Sequence, residues 1–544
     1  DKTLLIRDIL DAGAKISLFT RPRRFGKTLA LSMLKAFFED ERDGDGNKID
    51  NSRYFEGKRI SDCGEKYRSE QEKYPVINLT LKSAKQPNYE MAYNVLRKNI
   101  MEEFDRHSYI LQGSALTETD CSRYRAIWEG NAEADDYATA LAFLSRCLKK
   151  YHDSNVIILI DEYDVPLENS YFEGFYDRMI VFLRSLFESA LKTNDALEFA
   201  VITGCLRISK ESIFTGLNNL DVVSILRNDC AEAFGFTAQE VQGILSEYGM
   251  GSRMEEVREW YDGYLFGNTE VYNPWSIISY VNENRYKTEF FPKPYWSNTS
   301  SNSIIRELVE KADRDTRGEI EQLIAGGTIE KPVHEDITYG DIRESQDNLW
   351  NFLFFTGYLK KAGERFEEDR SYLTLAVPNR EIRCIYRDTI LSWFDKRIKA
   401  VDRMPFYRAL LAGECDVIER ELNGQLIKSI SFYDAAEQFY HGFMAGMLGG
   451  LGEYRLYSNR EAGDGRPDLM LTPEDWREPV MIFELKKADK FTQLEAGCEA
   501  ALAQIEERHY DAEYKEEGYE RFIKYGICFC GKACRVKAVM ESAE

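Results

Sequence analysis

Three charged residues in the C-terminal quarter of the chain have the types and spacing of a metal-dependent hydrolytic site. Asp468 precedes the apolar stretch 469–471, and Glu484 and Lys486 lie at the end of the apolar stretch 480–483. Because alternate side chains of a strand share a face, Glu484 and Lys486 are predicted to point the same way. Two carboxylates can hold a hard divalent cation such as Mg²⁺. A neighbouring lysine would orient the nucleophile that attacks a phosphodiester.

The elements that must position these residues are two neighbouring strands, a helix from about Gln493, and a further strand at 525–529. Glu461 would supply a further carboxylate or be a solvated hairpin residue, and both readings stay open. The strand–strand–helix–strand order, with Asp468, the Glu-x-Lys pair and the later Gln504, resembles the PD-(D/E)XK nuclease fold over about residues 405–544. The resemblance implies that Gln504 makes a supporting contact.

A second candidate site follows a strand predicted at 15–20, where the loop ends in Gly26-Lys27-Thr28 and a helical pattern begins. Strand, loop and helix in this order are the context of a phosphate-binding P-loop. Lys27 would reach the β- and γ-phosphates, and the Thr28 hydroxyl would ligate Mg²⁺. Arg21 stands where the general motif has its first glycine. We therefore expect the loop to enter the phosphate cradle by a different route.

The apolar stretch 155–160 is a predicted strand that ends in Asp161 and Glu162. Asp161 would hold the Mg²⁺ shell, and Glu162 would polarise the attacking water. Thr203 follows another predicted strand and would sense the γ-phosphate or cap the strand. Arg207 would act as a charge sensor or form a surface ion pair. The alternation of strands and helices predicts a parallel α/β sheet with ligands at its carboxyl edge.

Four sequence blocks, 1–6, 21–28, 160–164 and 203–219, resemble the bacterial AAA-ATPase-like family, whose members commonly carry a C-terminal PD-(D/E)XK domain. The family pattern itself has a non-glycine residue at the position of Arg21. The resemblance implies ATP and Mg²⁺ as cofactors. The nucleotide-binding residues that we predict are Arg24, Gly26, Lys27, Thr28, Asp161, Thr203 and Arg207.

The predicted fold class is α/β with three regions. Residues 1–235 would form a P-loop AAA-like ATPase domain with a parallel sheet, and residues 401–544 an α/β restriction-endonuclease-like PD-(D/E)XK domain. Between them, residues 236–400 are predicted to form a helical lid and a winged-helix-like region. The aromatic-rich turns of this middle region, such as 260–264, are predicted to serve packing, with a lid over the nucleotide as the alternative.

Composition limits the partners. The net charge of −22 over 544 residues argues against a protein that coats nucleic acid, although a local basic groove of Arg466, Lys486 and Lys487 remains compatible with it. Eleven cysteines without a regular framework favour a reducing compartment, and no apolar run approaches a membrane span. We therefore expect a cytoplasmic protein. Because the sequence begins at Asp1, we also expect a preceding segment.

The leading hypothesis is an ATP-binding, ATP-hydrolysing protein that controls a C-terminal Mg²⁺-dependent nuclease. Its substrate would be nucleic acid, with DNA favoured, and a homo-oligomer is left open. The alternative is a nucleotide-dependent switch or scaffold whose C-terminal domain binds a partner without cleaving it. The acidic charge and the altered P-loop favour this alternative, whereas the intact Asp468, Glu484 and Lys486 set disfavours it.

Overall fold

The computed structural model describes residues 1–207, 213–214, 220–287, 291–296, 314–335, 345–367, 370–386, 404–428, 437–449, 451, 454–458 and 465–542. The chain divides into two compact units. The first comprises Asp1–Ser301 with Thr328–Cys384, and the second comprises Asn302–Gly327 with Ile385–Glu544. Both units are mixed α/β, as the sequence predicts.

The first unit is built on a parallel five-stranded sheet in the order β2-β3-β4-β1-β5. Its strands are β1 (Ile16–Thr20), β2 (Val76–Thr80), β3 (Val156–Asp161), β4 (Leu197–Gly204) and β5 (Leu220–Val223). The helices of this part are α1 (Leu4–Ala12), α2 (Lys27–Phe38), α3 (Glu65–Arg68), α4 (Tyr89–Arg106), α5 (Glu118–Trp128), α6 (Ala134–Ala138), α7 (Ala140–His152), α8 (Val165–Glu173) and α9 (Tyr176–Phe187).

Every residue of β1 and β3 is buried, as expected where helices cover both faces of a parallel sheet. The parallel sheet predicted from these apolar runs is confirmed. In the strand register, Phe19 of β1 lies opposite Thr203 of β4, and Thr80 of β2 lies opposite Asp161 of β3. The carboxyl ends of β1, β3 and β4 therefore meet at one edge of the sheet.

The middle of the first unit is largely helical. It contains α10 (Ala238–Glu247), α11 (Met254–Tyr261) and α12 (Pro274–Asn284), with a hairpin of β6 (Tyr264–Phe266) and β7 (Thr269–Val271) between the last two helices. Tyr261, Tyr272 and Tyr280 lie in one core cluster with aliphatic residues of the three helices. The aromatic-rich turns thus serve packing here. The hairpin was not predicted, because its three-residue strands are too short to show a pattern.

A winged-helix-like arrangement ends the first unit, as predicted. It consists of β8 (Ile329–Pro332), a helix over Gln346–Phe355, β9 (Lys360–Glu367) and β10 (Arg370–Ala376), with the strands in the antiparallel order β8-β10-β9. The helix of this arrangement, Gln346–Phe355, is α14. The helix before it in the chain, α13 (Arg314–Ile324), belongs to the second unit.

The second unit contains the mixed sheet β11-β12-β13-β14-β15, in which only β13 and β14 pair in parallel. Its strands are β11 (Tyr454–Ser458), β12 (Leu469–Pro473), β13 (Val480–Lys487), β14 (Arg521–Cys530) and β15 (Ala533–Ser542). Its further helices are α15 (Met404–Ala412), α16 (Cys415–Lys428), α17 (Glu437–Leu448), α18 (Leu494–Glu507) and α19 (Ala512–Glu516).

Helices cover both faces of the mixed sheet. On one face, the Tyr525 hydroxyl donates to the carbonyl oxygen of Leu410 in α15. On the other face, a side chain at Gly526 would collide with the carbonyl oxygen of Cys498 in α18. The glycine therefore allows α18 to lie close to β14, beside the strand that carries Glu484. Across the described ranges, no helix has the length and apolar character needed to cross a membrane.

Two candidate catalytic sites

The first candidate site lies where β12 and β13 pair. Leu469 is opposite Phe483 in the antiparallel register, so Asp468 and Glu484 are brought side by side just before β12 and within β13. One carboxylate oxygen of Asp468, Oδ2, accepts a hydrogen bond from the backbone N–H of Leu485 at 2.8 Å. The prediction that the two strands are neighbours is confirmed, and the Asp468 side chain is fixed against β13.

A hydrogen-bonded cluster connects three of the predicted residues. Lys486 Nζ lies 3.1 Å from Glu484 Oε1 and donates to Gln504 Oε1 at 2.6 Å. The side-chain amide of Gln504 also donates to Glu484 Oε1. Gln504 is on α18, which Gly526 allows close to the sheet. The amide therefore fixes both the carboxylate and the ammonium group.

Glu484 has the properties of a cation ligand. It is only 3% exposed, and burial, together with the Asp468 carboxylate, raises its pKa to about 7. Its second oxygen, Oε2, is buried and accepts no hydrogen bond from the residues that the structure describes. A buried oxygen without a donor, beside a second carboxylate, leaves negative charge that one ammonium group does not balance. The donor set fits a hard cation such as Mg²⁺.

Of the residues predicted for this site, Glu461 lies outside the described part of the chain. One residue that was not predicted, a histidine, does lie here. His441 of α17 has its Nε2 2.8 Å from the carbonyl oxygen of Asp468 and 3.3 Å from the Ser458 hydroxyl. This contact was not predicted, because no spacing rule connects a helix with a strand end 27 residues away. Only the order of elements around the sheet would have indicated it.

The second candidate site is the loop between β1 and α2. Gly26 directly precedes α2 with φ 86°, and Arg24 also has a left-handed backbone with φ 70°, which is uncommon for a residue with a side chain. The Arg24 guanidinium lies over the ring of Trp275, 4.6 Å from its centroid. Lys27 is 4% exposed, and its Nζ donates to the carbonyl oxygens of Arg21 and Pro22, each at 3.0 Å.

The carboxylate of Asp161, at the end of β3, connects the first turn of α2 with the end of β4. Its Oδ2 accepts from the Thr28 hydroxyl at 2.6 Å, and its Oδ1 accepts from the Thr203 hydroxyl at 2.7 Å. Thr203 is the penultimate residue of β4 rather than the residue after it, and its hydroxyl also accepts the N–H of Glu162 at 3.3 Å. Thr28 and Asp161 thus present adjacent oxygens, which fit the Mg²⁺ that accompanies a nucleotide.

Asp164, for which no role was predicted, holds the segment after β4 in place. Asp164 is buried, and its Oδ2 accepts from the backbone N–H groups of Cys205 and Leu206 at 2.7 and 3.2 Å. Burial raises the pKa of Asp164 to about 6. These bonds fix the chain that leads to Arg207. Arg207 Nη1 lies 4.0 Å from a carboxylate oxygen of Glu335, so Arg207 forms the ion pair that was one of its two predicted roles. Its other predicted role, as a charge sensor, stays a prediction.

Arg21 explains how the loop does without its first glycine. The side chain is fully buried, and its Nη1 donates to the carbonyl oxygens of Thr20 and Val223 at 3.0 and 2.7 Å. The guanidinium also lies over the rings of Phe234 and Phe266, 5.2 and 4.9 Å from their centroids. Burial lowers its pKa to about 10, so it remains charged at neutral pH. Arg21 therefore braces the start of the loop against β5.

Replacing Arg21 with Ala is expected to lower the free energy of unfolding by about 3 kcal/mol or more, because hydrogen bonds of a charged group contribute roughly 1.5–3 kcal/mol each. Urea unfolding followed by circular dichroism measures the change. Arg53→Ala, at an exposed position, is the matched control and should lie within roughly 0.5 kcal/mol of the wild type. Equal losses in the two variants would contradict the bracing role.

Comparison with known proteins finds one family match in each of the two regions that carry these sites. Residues 1–214 match the family described as predicted AAA-ATPase, and residues 435–539 match the PD-(D/E)XK nuclease superfamily. An uncharacterised protein from Azotobacter chroococcum mcd 1, described as lying in the vnfD 5' region, is 25% identical over 535 residues, which covers 95% of this chain and 90% of that protein.

Proposed function

We propose that ATP binding and hydrolysis control a Mg²⁺-dependent nuclease in this protein. The chain joins an AAA-ATPase-like domain at residues 1–214 to a PD-(D/E)XK nuclease-superfamily domain at residues 435–539. The observation that carries the proposal is the cluster of Glu484, Lys486 and Gln504 beside Asp468, with one buried carboxylate oxygen left without a donor. The substrate class is nucleic acid, with DNA favoured. The domain boundaries proposed for this activity are near residues 235 and 400.

In the nuclease site, Asp468 and Glu484 would hold Mg²⁺. The chemistry that a bound Mg²⁺ supplies in such a site is neutralisation of charge on phosphoryl oxygens. Lys486 would orient the attacking water and stabilise the charge that develops during phosphodiester cleavage. Gln504 would fix the side chains of Lys486 and Glu484 relative to each other, since its amide group forms a hydrogen bond with each of them. Glu461 is proposed as a further carboxylate.

In the ATPase site, Gly26 and the first N–H groups of α2 would cradle phosphate oxygens. Lys27 would bind the β- and γ-phosphates, and Thr28 and Asp161 would hold the accompanying Mg²⁺. Glu162 would act as the base for the attacking water. Arg24, Thr203 and Arg207 are proposed nucleotide contacts, of which Thr203 supports Asp161 directly.

A cleavage assay tests the proposal. Purified wild type, Glu484→Ala and Lys27→Ala proteins are incubated with single-stranded DNA, duplex DNA and RNA in the presence of Mg²⁺, each with and without ATP. We expect the wild type to cleave at least one substrate, Glu484→Ala to cleave none, and ATP to change the wild-type rate.

The outcomes separate the proposal from a binding-only switch. A wild type that binds ATP and nucleic acid but cleaves no substrate would leave the switch or scaffold function in place of the nuclease. Cleavage by Lys27→Ala at the full ATP-dependent rate would contradict nucleotide control. Glu478→Ala, at an exposed position in the turn before β13, is the control for Glu484→Ala and should cleave like the wild type.

A further inference from the structure

The segment 488–493, which connects β13 to α18, carries an exposed aromatic ring directly after the candidate nuclease strand. Phe491 is 67% exposed, and Lys490 beside it is also exposed. Phe491 is five positions after Lys486, so the two Cα atoms lie at most about 17 Å apart. That is the length of a few nucleotides. A nucleic-acid strand bound at Lys486 therefore needs to extend by at most this distance to reach the Cα position of Phe491.

Hydrogen bonds hold the backbone around the exposed Phe491 in place. The N–H of Ala488 donates to the carbonyl oxygen of Phe529 at 2.8 Å, which fixes the start of the segment to β14. The N–H of Lys490 donates to Gln493 Oε1 at 3.2 Å, and the N–H of Gln493 donates back to the carbonyl oxygen of Lys490 at 3.0 Å. These bonds close a turn around Phe491 and hold its ring outside the core.

Two lysines, Lys487 and Lys490, lie on either side of the exposed carboxylate of Asp489 in this part of the chain. Lys487 Nζ lies 3.7 Å from Asp489 Oδ1, whereas Lys490 takes part in none of the ion pairs among the described residues. Lys490 therefore places an ammonium group directly beside the exposed ring of Phe491. An aromatic face with an adjacent cation is the combination on which single-stranded nucleic acid stacks.

We propose that Phe491 stacks on an unpaired base of the nucleic-acid substrate while Lys490 contacts an adjacent phosphate, so that the preferred substrate is single-stranded next to the cleavage position. This inference rests on the proposed nuclease function. A phenyl ring has no hydrogen-bonding group with which to read base edges in a duplex groove, and the faces of paired bases are covered by their neighbours. Stacking on an unpaired base is the contact open to it.

Binding by a cleavage-deficient protein tests the proposal. The full chain with Glu484→Gln, and the same chain with Phe491→Ala, Phe491→Trp or Phe366→Ala added, are titrated against a short fluorescein-labelled single strand and its duplex, with fluorescence anisotropy as the readout. Phe366 is the matched control because it is also exposed, at 77%, and lies in the first unit. Thermal unfolding shows that each variant is folded.

We expect Phe491→Ala to weaken binding of the single strand by about tenfold, Phe491→Trp to retain it, and Phe366→Ala to leave it unchanged. Duplex binding should change less than about twofold. Equal affinity of the parent and the Phe491→Ala variant for the single strand overturns this inference and leaves the nuclease proposal intact. A parent that binds neither nucleic acid, combined with a wild type that cleaves none, overturns both.

Discussion

Glu484→Gln is expected to abolish nucleic-acid cleavage, by roughly a thousandfold or more, because it removes a charged ligand from the proposed site, where a bound metal ion would contribute several kcal/mol. In the absence of metal the same change should stabilise the protein above neutral pH. The two effects have one cause. Glu484 is 3% exposed, has an oxygen without a donor, and lies beside Asp468, so its charged form is costly until a cation binds.

The sign of the pH effect follows from the raised pKa. Burial holds the pKa of Glu484 at about 7 in the folded chain, against an ordinary value of 4.5. The folded state therefore binds this proton more tightly than the unfolded state does. The stability that the protonated group contributes is fully present below pH about 4.5 and is lost as the pH rises through about 7. Above that pH the penalty is about 3 kcal/mol, which Gln avoids.

Urea unfolding at pH about 5 and about 8, with and without Mg²⁺, measures these effects. At the higher pH, metal-free Glu484→Gln should be more stable than the wild type, and Mg²⁺ should stabilise the wild type but not Glu484→Gln. Near pH 5 the difference should be small. Glu478→Gln is the matched control and should follow the wild type throughout. Equal stability of wild type and Glu484→Gln at both pH values without metal would contradict the proposed free-energy cost of the ionised Glu484 carboxylate.

The sequence was sufficient for the parts of this fold that repeat a pattern. The buried runs of β1 and β3 are continuous and apolar, so they were predicted as parallel strands. The spacing of Glu484 and Lys486 on β13 likewise predicted that they share a face, and the hydrogen bonds to Gln504 are consistent with this. In each case the information is local, carried by alternation or by hydrophobicity over five to eight residues.

The rest depends on contacts between distant segments. Arg21 was predicted to mark only a missing glycine, yet its partner carbonyl belongs to Val223, 202 residues away. His441 reaches Asp468 through the packing of α17 on the sheet, and no spacing rule gives that contact. No role was predicted for Asp164, and only its burial and its hydrogen bonds from backbone N–H groups show that it fixes the segment before Arg207.

Lys27→Ala is expected to lower ATP affinity by roughly a hundredfold, because Lys27 would exchange its two carbonyl partners for phosphate oxygens and make charge-assisted bonds there. The ammonium group is buried in the loop and donates to Arg21 and Pro22, each at 3.0 Å. It is therefore already positioned in the proposed anion cradle, and its removal should cost ATP-binding energy in addition to the stability that its two hydrogen bonds contribute. Isothermal titration with ATP and Mg²⁺ measures the affinity.

The same variant tests control of the nuclease. If ATP acts through this loop, Lys27→Ala should cleave nucleic acid at one rate whether or not ATP is present, at ATP concentrations that change the wild-type rate. Lys82→Ala, at an exposed position, is the matched control and should respond to ATP like the wild type. An ATP response retained by Lys27→Ala at those concentrations would mean that nucleotide acts elsewhere on the chain. If Lys27→Ala no longer bound ATP at this loop and its cleavage rate still depended on ATP, the loop would not be the switch that controls the nuclease.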